Sequence, residues 1–205
     1  MRPTPVPADL LAGPFTLAQS RAAGVPDAVL RGKRFRPLFH RVYASADLPD
    51  GPGLRIAGAL LAAPPGSFAV LTSAAHLLGL PAIASSERPQ IGLPPAFRKP
   101  RTHGIDWHPY GREPSLTRAG GLLATDPVST FLDVAAHRRF VDAVIIGDAL
   151  SRRGLVSCEE LMAAAAQVRG RAGLRASRAA AYVRPRVDSP METRLRLLIV
   201  FVGLP

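Results

Sequence analysis

The chain has 205 residues, of which 47% are hydrophobic and 6% aromatic, so it can bury a core built mainly from Ala, Leu and Val. Lys and Arg number 26 against 15 Asp and Glu, and the formal net charge of +11 favours an anionic partner, nucleic acid or an acidic protein. The single cysteine, Cys158, excludes a disulfide framework and a cysteine-based zinc site within the chain, and a reducing cytoplasm is the simplest compartment.

The first 13 residues contain three prolines and no apolar core, so we expect a loose arm and not a signal peptide. No later run reaches the roughly 18 apolar residues of a membrane helix. The sequence therefore predicts a cytoplasmic protein without a membrane partner.

Residues 14–44 predict a helix, a tight turn, a short second helix and an extended hairpin. Thr16 and Gln19 have the spacing of a capping box, and Gly24 tolerates the positive φ that a sharp turn needs. Pro26 fits the first position of the second helix, with Asp27 just inside it. The hairpin is predicted from β-prone residues: Phe35, Leu38, Phe39, Val42 and Tyr43.

Five cations fall within eleven residues of this region, with no acid among them: Arg31, Lys33, Arg34, Arg36 and Arg41. Two helices, a glycine-bearing turn and a basic hairpin form the outline of a winged helix-turn-helix, whose second helix enters a major groove. Arginine binds phosphate or the guanine edge in bidentate fashion. The sequence therefore predicts that these five residues bind DNA. The alternative interpretation is a small helical corner with a solvated basic face.

The middle of the chain predicts two helices and then strands. A linker at 47–53 is predicted to end the first domain. Helices are predicted over 54–63 and over 68–80, the latter capped by Ser67. Prolines and glycines then break the apolar runs, which predicts a small antiparallel sheet with strands in 90–93, 104–110 and 115–118.

Several polar residues here are candidate ligands, but none predicts a metal site. His76 lies in a predicted helix, where a partly buried polar role is favoured over that of a ligand or base. His103, Asp106 and His108 are close in sequence, yet their spacing matches no defensible metal site. We predict no metal and no other cofactor.

The second half of the chain is predicted to be helical. Asp126 is predicted to cap a helix that begins at Pro127, and the apolar segment 140–150 is predicted to be a buried helix. Ser157 and Glu160 have the spacing of a capping box before a helix over 158–168, and a further helix is predicted over 174–183. Asp142 and Asp148 interrupt the buried helix. One interpretation of these two residues is a pair of catalytic carboxylates. We favour the other, in which they lie at the helix rim or pair with arginines such as Arg152 and Arg153. Cys158 is interpreted as structural.

The C-terminal stretch is rich in arginine and ends in an apolar helix. Residues 169–196 hold eight arginines and two acids, which form either a second phosphate-facing patch or a solvated face. Ser189, Pro190 and Glu192 predict a third capped helix, which presents Leu195, Leu198, Ile199 and Val202. Such a helix must pack on the preceding helices, on a following domain or on another chain.

Together these patterns predict an α+β, predominantly helical fold. A winged helix-turn-helix is expected over 1–48. A mixed domain follows over 54–184, with the small antiparallel sheet and a helical C-terminal half. The last helix occupies 186–205.

The opening segment TLAQSRAAGVPDAVLRGKRFRPLFHRVYA resembles the winged helix-turn-helix of the AbiEi-type antitoxin family from type IV toxin-antitoxin (abortive infection) systems. The segments LTSAAHLLGLP and TDPVSTFLDVAAH are similar to the same large actinobacterial group. In many members a restriction-endonuclease-like domain follows, related to very-short-patch repair nucleases. Its first helix resembles SPMETRLRLLIVFVGLP, so the resemblance leads us to expect a truncated nuclease unit.

The resemblance implies an antitoxin-like transcriptional regulator that binds double-stranded DNA and has no catalysis of its own. The alternative is a truncated or split nuclease subunit that needs a missing C-terminal domain. Glu192 matches an acidic position of the nuclease helix, but the strands that would bring further carboxylates and a lysine are absent, and phosphodiester cleavage needs several converging acidic ligands. A third interpretation is a protein-binding module that meets a toxin, in which the terminal helix is the expected contact.

Overall fold

The computed structural model describes residues 5–83, 88–111 and 114–203. They form two units, the first of residues 5–69 and 88–111, the second of residues 70–83 and 114–203. The functional domains predicted over 1–48, 54–184 and 186–205 stay predictions. The fold is mixed α and β, as the sequence predicted.

The first unit contains four helices and six strands. The helices are α1 (Ala8–Ala12), α2 (Leu17–Ala22), α3 (Asp27–Leu30) and α4 (Pro52–Ala62). The strands are β1 (Phe15–Thr16), β2 (Phe35–Phe39), β3 (Val42–Ser45), β4 (Phe68–Ala69), β5 (Gln90–Leu93) and β6 (Asp106–Pro109). The first three strands form an antiparallel sheet in the order β1-β3-β2.

Local sequence signals account for the start of this unit. Thr16 Oγ1 accepts a hydrogen bond from Gln19 N at 3.2 Å, and Gln19 Oε1 accepts one from Thr16 N at 2.7 Å, which confirms the capping box. Gly24 has a φ of +71°, as the turn required. Pro26 differs from the prediction: its ψ of 145° keeps it outside the helix as the N-cap, and α3 begins at Asp27.

The predicted loose arm is wrong for Ala8–Ala12, which form α1. Leu10 of this helix is buried in a cluster with Phe15, Val25, Leu30 and Phe35. Burial of this apolar side chain stabilises the helix, although the prolines of the segment had predicted an irregular arm. The arm's residues Met1–Thr4 lie outside the described residues.

The strands β4, β5 and β6 correct two predictions. The predicted helix over 68–80 is wrong at its start, because Phe68 and Ala69 pair with β5 as a strand. Ser67 is therefore no helix cap; a shorter helix begins at Leu71 with Val70 as its N-cap. The predicted antiparallel direction is also wrong for the strands at 90–93 and 104–110, since β5 and β6 are parallel, with Gln90 opposite Asp106.

The second unit is mainly helical. Its helices are α5 (Leu71–Leu77), α6 (Pro127–His137), α7 (Phe140–Arg152), α8 (Cys158–Gln167), α9 (Gly170–Ala180) and α10 (Pro190–Val202). A hairpin of β7 (Leu116–Ala119) and β8 (Leu122–Thr125) precedes α6. The sequence predicted β7 but not its partner β8. Helix α7 packs against α6, α8, α9 and α10, which explains why it is apolar nearly all round.

Two of the three predicted helix starts of this unit are confirmed in full. Asp126 Oδ1 accepts a hydrogen bond from Ser129 N at 2.7 Å, and Ser157 and Glu160 form a complete capping box. In α10, Ser189 accepts from Glu192 N at 3.2 Å, but the Glu192 carboxylate accepts from Asp188 N and not from Ser189 N. The third box is thus only half formed.

Asp142 and Asp148 are both buried in α7, and their partners differ from the arginines named above. Asp142 pairs with Arg139 at 3.1 Å, and Asp148 pairs with Arg196 at 2.8 Å. Arg152 instead pairs with Asp188, and Arg153 donates to the carbonyl oxygens of Leu78 and Gly79. The two buried carboxylates therefore serve the packing of the unit.

Candidate nucleic-acid interface

The turn between α2 and α3 is closed by a bidentate ion pair. Arg21 Nε donates to Asp27 Oδ1 at 3.0 Å, and its Nη2 donates to Oδ2 at 2.6 Å. This hydrogen-bonded guanidinium lowers the pKa of Asp27 below its usual value, and the charges of Arg31 and Arg41 lower it further. Both of these arginines therefore lie close enough to the start of α3 to act on one carboxylate.

Four of the five predicted cations form an exposed group that we call the basic face: Arg31, Lys33, Arg34 and Arg41. The first three follow the end of α3, whereas Arg41 occupies the turn between β2 and β3. The Arg41 carbonyl oxygen accepts a hydrogen bond from Leu17 N at 2.8 Å, and its φ of +58° is rare for a residue other than glycine. The hairpin turn is thus tied to the start of α2.

Arg36, the fifth predicted cation, has different surroundings. It is half-buried in β2, and its Nη2 donates to the Leu48 carbonyl oxygen at 2.7 Å. Its charge also lowers the pKa of Asp50, whose first partner is Arg55. Arg36 therefore joins β2 to the segment that follows β3. The sequence offered no sign of this contact, because the acceptor is a backbone atom twelve residues away.

A second cationic segment lies in the same unit, between β5 and β6, and the sequence interpretation did not include it. We call residues 98–103 the basic loop; Arg98, Lys99, Arg101 and His103 are all exposed. A Cβ placed on the adjoining Gly104 would lie 3.5 Å from the ring of Phe39, at the tip of the β2–β3 hairpin. The available signal was the acid-free run Arg-Lys-Pro-Arg itself.

The remaining arginine-rich stretch is bound largely to its own unit. Arg178 lies over the Phe140 ring, 4.9 Å from its centroid, and Arg175 donates to the Arg138 carbonyl oxygen. Arg184 donates to the carbonyl oxygens of Ala181 and Val183, and Arg196 donates to that of Tyr182 as well as to Asp148. These contacts favour a structural role over phosphate binding for four of the eight arginines of residues 169–196: Arg175, Arg178, Arg184 and Arg196.

The other candidate residues are separate from the basic face. His76 is exposed on α5. In the described ranges, no three His, Cys, Asp or Glu side chains form a group able to hold a metal ion, and this covers His103, Asp106 and His108. Cys158 Sγ lies 3.3 Å from Ser151 Oγ and donates to the Val183 carbonyl oxygen. Glu192 caps the start of its own helix, as described above.

Comparison with known proteins shows a similarity in fold. No protein-family model matches this sequence, and no curated protein matches it significantly. Among solved structures, the RV2827C protein from Mycobacterium tuberculosis superimposes with a TM-score of 0.56 at 19% sequence identity, covering 91% of this chain and 76% of that one. The chain is similar to this protein in fold. At 19% identity the likeness is limited to the fold, and the AbiEi-type resemblance stays a prediction.

No helix in residues 5–83, 88–111 and 114–203 combines the length and hydropathy that crossing a bilayer requires.

Proposed function

We propose that the chain is a double-stranded-DNA-binding regulator, in which α2, α3 and the β2–β3 hairpin act as a winged helix-turn-helix. The observation that carries this proposal is the placement of Arg31 and Arg41. Arg31 follows the end of α3, and Arg41 occupies the hairpin turn, where its carbonyl oxygen accepts a hydrogen bond from Leu17 N at the start of α2 at 2.8 Å. The charges of both arginines also lower the pKa of Asp27. Helix and hairpin thus present cations on adjoining parts of one small unit, as a DNA backbone requires.

The charge balance of this surface supports the same function. Asp27 is the one acid between residues 17 and 46, and its charge is countered by Arg21. The local field at the basic face is therefore positive. Such a field attracts phosphate and steers a polyanion toward the unit.

Helix α3 is only four residues long, so it offers few exposed polar side chains. We therefore propose that backbone contacts supply most of the affinity and that few base edges are read directly. The antitoxin-like and transcriptional part of the proposal rests on the sequence resemblance. A chromosomal DNA partner would place this activity in the cytoplasm.

We propose no catalysis by the chain itself. The Glu192 carboxylate, which matches an acidic position of the nuclease-like helix, accepts a hydrogen bond from Asp188 N at 2.6 Å. Because this carboxylate caps its own helix, the contact supports a structural role for Glu192. Magnesium-dependent nicking of supercoiled plasmid by the purified chain would contradict this part of the proposal.

The second candidate, a nuclease subunit or toxin-binding protein completed by another polypeptide, is favoured by one observation. The outward side of α10 exposes a run of large apolar residues: Met191, Leu195, Leu198 and Val202. This candidate predicts that the chain alone is poorly soluble. Co-expression with the downstream reading frame would then raise its solubility and recover a complex by co-purification.

The experiment that tests DNA binding is a fluorescence-anisotropy titration. The probes are a labelled duplex from the chain's own upstream region and a scrambled duplex, each over a series of salt concentrations. Each neutralised phosphate contributes about 0.9 to the slope of log affinity against log salt. Arg31→Gln and Arg34→Gln should each flatten that slope by about 0.9, whereas Arg171→Gln on exposed α9 should not.

The outcomes separate the interpretations. Preference for the upstream duplex that survives higher salt supports a sequence-reading regulator. Equal binding of both duplexes that salt abolishes would reduce the role to non-specific DNA binding. Slopes equal to that of the wild type in both arginine variants would contradict the assignment of the basic face.

A further inference from the structure

The basic loop has the chemistry of a phosphate-binding segment. Its cations Arg98, Lys99 and Arg101 are exposed, and no acid occurs between Pro94 and Ile105. Pro95 and Pro100 restrict the backbone, and Phe97 N closes a turn onto the Pro94 carbonyl oxygen at 3.0 Å. A restricted segment loses little conformational entropy when it meets a partner.

The fold places the end of this loop beside the tip of the hairpin. Gly104 has a φ of +80°, which favours glycine, and a Cβ built on it would be in ordinary van der Waals contact with the ring of Phe39, 3.5 Å away. The next residues, Ile105 and Trp107, belong to a buried cluster against which Phe39 also packs. The loop is therefore held close to His40 and Arg41, which directly follow Phe39 in the chain.

We propose that the basic loop is a second DNA-backbone contact, which extends the surface of the basic face along the same duplex. The inference rests on the proposed function. A hairpin wing lies along the phosphate backbone, so cations held beside its tip would meet the next phosphates of the same strand or those across the groove. Arg98, Lys99 and Arg101 neutralise phosphate charge there and read no bases.

The test compares two variants with the same loss of charge. One carries Arg98→Gln, Lys99→Gln and Arg101→Gln, and the control carries Arg169→Gln, Arg171→Gln and Arg186→Gln, three exposed positions of the second unit. Both are titrated with the labelled upstream duplex over a salt series. Three phosphate contacts correspond to a slope change of roughly 2 to 3 and an affinity loss of about a hundredfold or more at 0.1 M salt.

We expect the loop variant to show this flattening and the control to keep the wild-type slope. The ratio of upstream to scrambled affinity should stay unchanged, because phosphate contacts carry no sequence information. A wild-type slope in the loop variant would overturn the inference, and an acidic protein would then be the remaining candidate partner of the basic loop. Equal flattening in both variants would also overturn it, because net charge alone would then explain the effect.

A second measurement covers the case in which the triple variant fails to fold. Arg101→Gln alone should flatten the slope by about 0.9, and phosphate-ethylation interference on the wild type should show contacts that this variant loses. The proposed function fails separately. If Arg31→Gln and Arg34→Gln weaken DNA binding but the loop variants do not, only the inference about the loop is wrong.

Discussion

Arg196 on α10 donates through Nη2 to Oδ2 of Asp148 on α7 at 2.8 Å, and the Asp148 side chain is 2% exposed. Thr193 Oγ1 donates to the same oxygen at 2.7 Å, and Arg184 N donates to Oδ1 at 2.7 Å. One buried carboxylate thus joins α10, the segment after α9 and the central helix of the second unit. Its charge is tolerated because every contact is a hydrogen bond from a cation, a hydroxyl or an amide.

Replacement of Asp148 should therefore be costly. Asp148→Ala leaves the Arg196 charge and two donors without their acceptor, and we expect the free energy of unfolding to fall by about 3 kcal/mol, the low end for a broken buried pair. Urea unfolding measures this loss. The control is Asp188→Ala, whose ion pair with Arg152 is surface-exposed and should contribute at most about 1 kcal/mol. Similar losses in the two variants would contradict the role assigned to Asp148.

Gly147 on α7 should resist substitution for a different reason. A Cβ at this position would collide with Cγ2 of Val183 and lie 3.1 Å from Cε2 of Phe131. Gly147→Ala should lower the free energy of unfolding by about 1–3 kcal/mol through overpacking, although alanine is the better helix former by about 1 kcal/mol.

The control for this prediction removes the obstacle. In the double variant Gly147→Ala with Val183→Ala, thermal unfolding should show a smaller loss than the sum of the two single variants, because the clash is gone. Additive losses, or a more stable Gly147→Ala variant, would show that the backbone has room at this position.

The sequence predicted those parts of the fold that depend on neighbouring residues. The capping boxes at Thr16 and Ser157, the Asp126 cap and the left-handed turn at Gly24 need only residues within a few positions, and the structure has them all. The strand at Phe68 depends instead on its pairing with Gly92, more than twenty residues away. An apolar pair at the start of a helical pattern gave no sign of that partner.

The candidate site divides in the same way. That a cluster of cations falls between residues 31 and 41 followed from the sequence, whereas the contact of Arg36 with the Leu48 carbonyl oxygen did not. The sequence did not indicate the basic loop as part of the site, because the loop lies near the hairpin only through the contact of Gly104 with Phe39. These two residues are some 65 positions apart in the sequence. Long-range packing, which no local pattern encodes, decided which cations share a surface.

The ion pair of Arg21 and Asp27 predicts a pH dependence. The pKa of Asp27 is lowered in the folded chain, chiefly by the Arg21 hydrogen bonds, so the folded state binds its proton more weakly than the unfolded state. The stabilisation is complete above the unfolded pKa, near 3.9, and is lost as the pH falls through the folded value. A carboxyl-carbon NMR titration should show the lowered pKa, and Arg21→Gln should return it toward normal. An unchanged Asp27 pKa in that variant would contradict the assignment.

Arg36 and Arg34 should respond to substitution in different measurements. Arg36→Gln removes a charged donor from the Leu48 carbonyl oxygen and should lower the free energy of unfolding by about 1–2 kcal/mol, with the salt dependence of DNA affinity unchanged. Arg34→Gln should flatten that dependence by about 0.9. If Arg36→Gln also flattened it by this amount, the prediction from sequence that Arg36 binds DNA would be supported, and the separation of Arg36 from the basic face would be wrong.

Helix α10 contains neighbouring leucines with opposite surroundings. Leu197 is 2% exposed, whereas Leu198 is 60% exposed. Only some of the apolar residues predicted for α10 therefore lie on the side through which this helix packs on its unit. Leu197→Ala should lower the free energy of unfolding by about 2–5 kcal/mol, and Leu198→Ala should change it by no more than about 0.5 kcal/mol. Urea unfolding of both variants at two protein concentrations gives the comparison.

The concentration series decides how the exposed side of α10 is to be interpreted. If Leu198 is solvated, its substitution has a small effect at every concentration. If a second copy covers it, the wild type gains stability with concentration and Leu198→Ala abolishes that gain, because association adds free energy only to the folded state. A large, concentration-independent loss in Leu198→Ala would show that this leucine packs within its own unit, contrary to its exposure in the structure.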